Sequence, residues 1–125
     1  GYHSPRWSPA GDRIVAIKAD SDLVGFYDLT RGEWRQVRAS GRLGYPNWSS
    51  DGKLLYLLAN VGTESANVMA MDPSRSTARI VAPLNVLRQP AFSFGDWIGL
   101  APGNRPVALR DLSTEAILSW RLGPE

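Results

Sequence analysis

The residues able to do chemistry in this 125-residue chain are few and far apart. His3 is the single histidine, so a Ser-His-Asp arrangement would depend on one imidazole beside a terminus, where chains fray. The sequence contains no Gly-x-Ser-x-Gly elbow, no glycine-rich phosphate loop and no His-Glu-x-x-His pair. Asp20 and Asp22 form a local carboxylate pair, and Asp20-Ser21-Asp22-Leu23-Val24-Gly25 begins like a calcium loop. Val24 stands where a third oxygen ligand is needed and Arg31 where a bidentate Glu would close the shell, so these acids read as hairpin formers. The absence of cysteine excludes thiolate metal sites and disulfides without fixing a compartment. The expectation is a non-enzyme with no catalytic, metal or cofactor-binding residues.

What remains is a set of arginines. Arg6, Arg42, Arg88 and Arg105 come from different parts of the chain and would form a modest anion-attracting rim if the fold gathers them at one mouth; otherwise they are solvated loop residues. Fourteen Lys and Arg against twelve Asp and Glu leave a net charge of +2 with the signs interspersed, which gives nucleic-acid binding no support. No apolar stretch is long enough to span a membrane. Asn47-Trp48-Ser49 satisfies the glycosylation sequon, but it falls in an expected inner strand beside a core Trp and reads as inaccessible. Gly1-Tyr2-His3 lacks both the basic and the apolar part of a signal peptide, and a leading glycine without an initiator Met reads as a trimmed start.

The elements that must position these residues repeat. Ser4-Pro5-Arg6-Trp7-Ser8-Pro9-Ala10-Gly11-Asp12 returns as Tyr45-Pro46-Asn47-Trp48-Ser49-Ser50-Asp51-Gly52-Lys53, and again, worn down, as Gln89-Pro90-Ala91-Phe92-Ser93-Phe94-Gly95-Asp96-Trp97. A second marker keeps pace with the first: Tyr27-Asp28-Leu29-Thr30-Arg31-Gly32, then Met71-Asp72-Pro73-Ser74-Arg75-Ser76, then Arg110-Asp111-Leu112-Ser113-Thr114-Glu115. A period of about 40 to 45 residues is that of four-stranded propeller blades. The apolar run 14–19 between Gly-Asp and Asp-Ser-Asp turns reads as a buried strand, 23–29 as its hairpin partner and 34–37 as a half-exposed outer strand, with 2–7 in front. The second unit repeats this with 45–48, 54–59, 67–72 and 78–81. The third follows with 90–93, 97–101, 106–111 and 116–120. The fold class is therefore all-β: three four-stranded antiparallel blades in one propeller fragment, spanning about 2–40, 41–84 and 85–122. The aromatic before each first turn, Trp7, Trp48 or Phe92, is expected to pack between blades.

The Pro-x-Trp-Ser-Pro-Asp-Gly pattern, followed by a hairpin and a Tyr-Asp-Leu-x-x-Gly element, is similar to the TolB-like β-propeller repeat, also described as a WD40-like Pro-Asp repeat. The match covers nearly the whole chain. Ala10 stands where the pattern has Asp, and the third unit lacks both the Trp and the Asp-Gly turn. The segment 106–120 also resembles the terminal blade of repeat regions attached to bacterial winged-helix regulators or kinases. The resemblance implies a non-catalytic binding or scaffold module in a larger bacterial protein, sensory or regulatory, presenting loops and a channel mouth to a protein, peptide or small ligand. It implies a periplasmic location if the likeness to the Tol-Pal component holds. The alternative it implies is an accessory propeller of a prolyl-oligopeptidase-type hydrolase whose catalytic domain lies elsewhere.

Three blades do not close a ring of four to eight comfortably, and each open end leaves an apolar face. Two copies can pair into a six-bladed homodimer, with Trp34, Trp97 and Trp120 as candidate contacts. Specificity is expected in the loops 60–65 and 83–88, with Gly62 and Glu64 tolerant of polar replacement.

Overall fold

Short turns built on Gly, Asp and Asn cut the chain into strands of four to seven residues, too short to stand alone and paired at once with their neighbours. The computed structural model describes residues 1–63, 65–86, 97–110 and 112. Its strands are β1 (Tyr2–Trp7), β2 (Arg13–Lys18), β3 (Leu23–Asp28), β4 (Glu33–Arg38), β5 (Leu43–Trp48), β6 (Leu55–Ala59), β7 (Asn67–Asp72), β8 (Thr77–Pro83), β9 (Ile98–Ala101) and β10 (Arg105–Ala108). They form two four-stranded antiparallel sheets, β1-β2-β3-β4 and β5-β6-β7-β8, and a two-stranded sheet of β9 and β10. The expected strands 90–93 and 116–120, with Phe92 and Trp120, lie outside the described residues.

β6 shows why the sheets stack. All five of its residues are buried, because both of its faces are covered. Leu55, Leu57 and Ala59, with Met69 and Met71 of β7, lie against Val15, Ile17, Val24, Phe26 and Val37 of the first sheet. Tyr56 and Leu58, with Val68 and Ala70, lie in a second cluster with Ile98 of β9. The outermost strands β4 and β8 are exposed along most of their length.

Trp48 fastens the first sheet to the second. Its ring meets Phe26 edge-on at 5.9 Å, the Arg13 guanidinium lies 5.0 Å from its centre, and its indole N–H donates to the Arg6 carbonyl at 3.3 Å. Trp7 holds the same place in the first unit, yet it is 60% exposed, which corrects the expectation of a core role. The reason is positional: Trp48 has the first sheet in front of it, whereas among the described residues no sheet stands in front of Trp7.

The turn after each Trp is organised by a buried serine, a role that the sequence pattern did not reveal. The Ser8 hydroxyl accepts from the Arg13 amide at 3.0 Å and donates to Asp12 at 2.6 Å. The Ser49 hydroxyl accepts from the Leu54 amide at 2.9 Å and donates to Asp51 at 2.7 Å. Ser8 and Ser49 are both buried, so these bonds satisfy groups that water does not reach.

In the third unit the expected strands 97–101 and 106–111 with their hairpin at 102–104 are found as β9 and β10, but the place of β9 differs from the expected one. Residues 97–101 were expected as a second strand, which would run opposite to β5, as β6 does. Instead the Asn47 side chain donates to the Ile98 carbonyl at 3.3 Å, and the Ser50 amide donates to the Asn104 side chain at 2.8 Å. β9 therefore runs beside β5 in the same sense, as β1 does on the other side, and its turn at Pro102, Gly103 and Asn104 comes to the Ser49–Gly52 turn.

Candidate functional site

β1 and β5 share an irregularity that opens a groove between the first two units. In β1 the pairing slips between His3 and Arg6, and in β5 between Gly44 and Asn47. Ser4 and Tyr45, each just before a proline, adopt left-handed backbone with φ of 52°. Such bulges leave peptide groups out of the ladder and re-aim side chains, and they are frequent at barrel rims and beside binding sites.

The groove lies where β1 and β5 begin and has a volume of about 380 Å³. Its walls include His3 and Ser4 from β1, Lys18 and Asp20 around the first hairpin, and Arg42 and Tyr45 around the start of β5. The β6–β7 hairpin closes one side, with the Val61 amide donating to the Arg42 carbonyl at 3.1 Å. Gly41, at φ of 82°, passes so close to Asn60 that a side chain there would collide with the Asn60 amide. Gly44 lies similarly close to Val61, where a Cβ would come within 3.2 Å of the Val61 side chain.

The groove is cationic on balance. Asp22 is spoken for, because Arg38 Nη1 donates to both of its oxygens at 2.5 and 2.6 Å. Lys18 and Arg42 meet no carboxylate among the described residues, and Asp20 is the one acid in the lining. His3 contributes a ring nitrogen 3.0 Å from the Ser4 hydroxyl.

Of the four arginines of the expected rim, the three described ones, Arg6, Arg42 and Arg105, are not gathered at one mouth. Arg42 stands at the groove, whereas Arg6 lies near the far end of β1, where its guanidinium donates to the Pro5 carbonyl at 3.0 Å. Arg105 follows the Pro102–Asn104 turn at that same far end and donates to the Pro102 carbonyl at 3.2 Å. Arg88 lies outside the described residues. Of the residues that surround Arg42 instead, His3 was noted only as the single histidine, and Lys18 and Tyr45 were not linked to a site. The available signal was the proline after Ser4 and after Tyr45 at matching repeat positions.

Two other expectations can be placed. The Asn47 side-chain amide donates to the Tyr45 and Ile98 carbonyls at 2.8 and 3.3 Å, so its nitrogen is engaged within the fold. Gly62 has φ of 79°, so a polar replacement there carries a backbone strain that the expectation of tolerance did not include. The adjoining hairpin is held by its own bonds, Asn60 Nδ2 to the Ser65 carbonyl at 3.1 Å and Thr63 Oγ1 to the Asn60 carbonyl at 2.8 Å. Glu64 and the end of the 83–88 loop lie outside the described residues.

At the opposite end of the sheets, turn aspartates are held ionised. The Ser8 hydroxyl lowers the Asp12 pKa, the Ser49 hydroxyl lowers that of Asp51, and the Ser74 hydroxyl lowers that of Asp72. A carboxylate whose folded-state pKa is depressed stabilises the fold above its unfolded value, and that contribution disappears as pH falls through the folded value. The window for these groups opens below about pH 4. The Asp12→Asn, Asp51→Asn double variant is therefore expected to be less stable than the wild type at neutral pH and to converge on it as pH falls through the lowered folded-state values. Urea midpoints across pH check this, and a gap that persists unchanged into acid would contradict it.

No family model matches this chain, and no curated protein does. Among solved structures it is similar to the crystal structure of TolB from Acinetobacter baumannii, with 23% identity and a TM-score of 0.54. The match covers 64% of this chain and 21% of that one, so it spans about a fifth of the TolB chain's length. The fold is that of a TolB-like β-propeller segment.

Proposed function

We propose that this segment is a non-catalytic binding module that holds an extended, acidic protein segment in the groove between its first two units. The observation that carries this reading is the convergence of Lys18 and Arg42 with the paired bulges at Ser4 and Tyr45 around one groove. The bulges leave the groove with backbone groups outside the β-ladder, and the cations supply attraction for carboxylates. Among the described residues there is no group of three or more His, Cys, Asp or Glu placed to hold a metal. No helix there is long and apolar enough to cross a membrane. In a longer protein the same groove would serve attached domains in a sensory or regulatory role.

The test uses fluorescein-labelled decapeptides that alternate Glu with Ser or Ala, titrated with the purified segment and read by polarisation. The Lys18→Glu, Arg42→Glu variant is expected to bind at least about tenfold more weakly, a loss of about 1.4 kcal/mol. Wild-type binding is expected to fall as salt rises from about 0.1 M to about 1 M, because the screening length shrinks from about 10 Å to about 3 Å. An affinity indifferent to both changes would remove the groove from the account.

A further inference from the structure

The groove presents charges of both signs, and none of them is spent on another. Lys18, Asp20 and Arg42 line the same cavity, yet no ion pair joins the acid to either cation among the described residues. The Asp20 carboxylate takes no side-chain hydrogen bond there either. Neighbouring Asp22 gives the contrast, since Arg38 engages both of its oxygens. The three charges are also held in place by backbone. Asp20 sits in the β2–β3 hairpin with φ of 51°, and the hairpin is pinned on both shoulders: the Ala19 amide donates to the Gly1 carbonyl at 2.9 Å and the Ala39 amide to the Asp22 carbonyl at 2.8 Å.

A second, more open depression adjoins the groove, lined by Asp20, Ser21, Asp22, Gly41 and Arg42. Asp20 and Arg42 belong to both depressions, whereas Lys18 lines only the first. Lys18 and Arg42 attract acids, and Asp20 stands at the junction and repels them. A uniformly acidic chain laid through the groove therefore meets a like charge at Asp20, which is how a site rejects one ligand in favour of another. Side chains on one face of an extended segment recur every second residue, about 7 Å apart. A single basic residue on that face answers Asp20 and leaves the acids on either side of it for Lys18 and Arg42.

We infer that the protein segment bound in this groove is of mixed charge: it carries one basic residue, set between acidic ones, that meets Asp20. Asp20 is then the residue that selects among acidic segments, while Lys18 and Arg42 supply the general attraction. The inference rests on the groove as the binding site and specifies the chemistry of its occupant.

The test compares two fluorescein-labelled decapeptides by polarisation: the one alternating Glu with Ser, and the same peptide with its central glutamate replaced by lysine. Net charge alone predicts that the lysine peptide binds more weakly. The wild type is instead expected to bind it about threefold more tightly, the scale of an exposed ion pair gained. Asp20→Asn is expected to reverse the preference, so that the all-acidic peptide becomes the tighter ligand. Asparagine suits this variant because it tolerates left-handed backbone as aspartate does and removes only the charge. A wild type that prefers the all-acidic peptide, or an Asp20→Asn variant that keeps the wild-type preference, overturns the inference while leaving the groove as a binding site. Failure of both peptides to bind overturns the groove reading and the inference together.

Discussion

Replacing Trp48 with alanine is expected to cost about 3 to 5 kcal/mol of unfolding free energy. A domain of this size has roughly 5 to 15 kcal/mol in all, so the loss removes a large share of the total. The size follows from what the ring does: it fills the interface between the first two sheets, packs on Phe26, lies under the Arg13 guanidinium and satisfies the Arg6 carbonyl. Removing it leaves a cavity and a carbonyl without its donor. The matched control is Trp7→Ala, at the same position of the preceding unit and 60% exposed. Measured by urea unfolding, it should cost no more than about 0.5 kcal/mol. Similar losses in the two variants would contradict the assignment of Trp48 as the fastener and Trp7 as a surface residue.

Leu58→Ala is expected to cost about 2 to 5 kcal/mol and to act mainly on the third unit. Leu57 and Leu58 are neighbours on β6 and both fully buried, but they point to opposite faces. Leu57 belongs to the cluster shared with the first sheet, Leu58 to the cluster that includes Ile98. Truncating Leu58 therefore weakens the seat of the β9–β10 sheet while the contact of the first two sheets stays filled. Hydrogen exchange is expected to accelerate at least about tenfold in β9 and β10 and little in β2 and β3, because stability is distributed in local units. Leu57→Ala should instead loosen β2 and β3. Identical exchange maps for the two variants would show that the sheets unfold as a single cooperative block.

The two complete sheets were legible because their signals are local and redundant. Gly11 and Gly52 mark the first turn of each unit with φ near 70°, Asp28 and Asp72 start the later turn by accepting from the backbone ahead, and apolar runs lie between. What was not legible depends on neighbours. Trp7 and Trp48 occupy the same position in the repeat, and the difference between them lies in which sheet stands in front. The direction of β9 was missed because the third copy of the first marker was aligned at 89–97, whereas the turn that meets Ser50 is the one carrying Asn104. The groove was missed for a related reason. Arg42 was picked for its charge alone, but its partners Lys18 and His3 become neighbours only when two bulged strands lie side by side. The tolerance expected at Gly62 follows from its place in a loop outside the packed strands, and its left-handed backbone could not be read from that place.

The central claim is that the groove between the first two units is where this segment binds, and an amide-resolved NMR titration of the ¹⁵N-labelled segment with the acidic decapeptide tests it most directly. The expected result is a set of shifts confined to His3, Ser4, Lys18 to Ser21 and Arg42 to Tyr45, absent from the Lys18→Glu, Arg42→Glu variant. Shifts centred instead on the opposite-end turns around Asp51 and Asp72, or no saturable shifts at all, would contradict it.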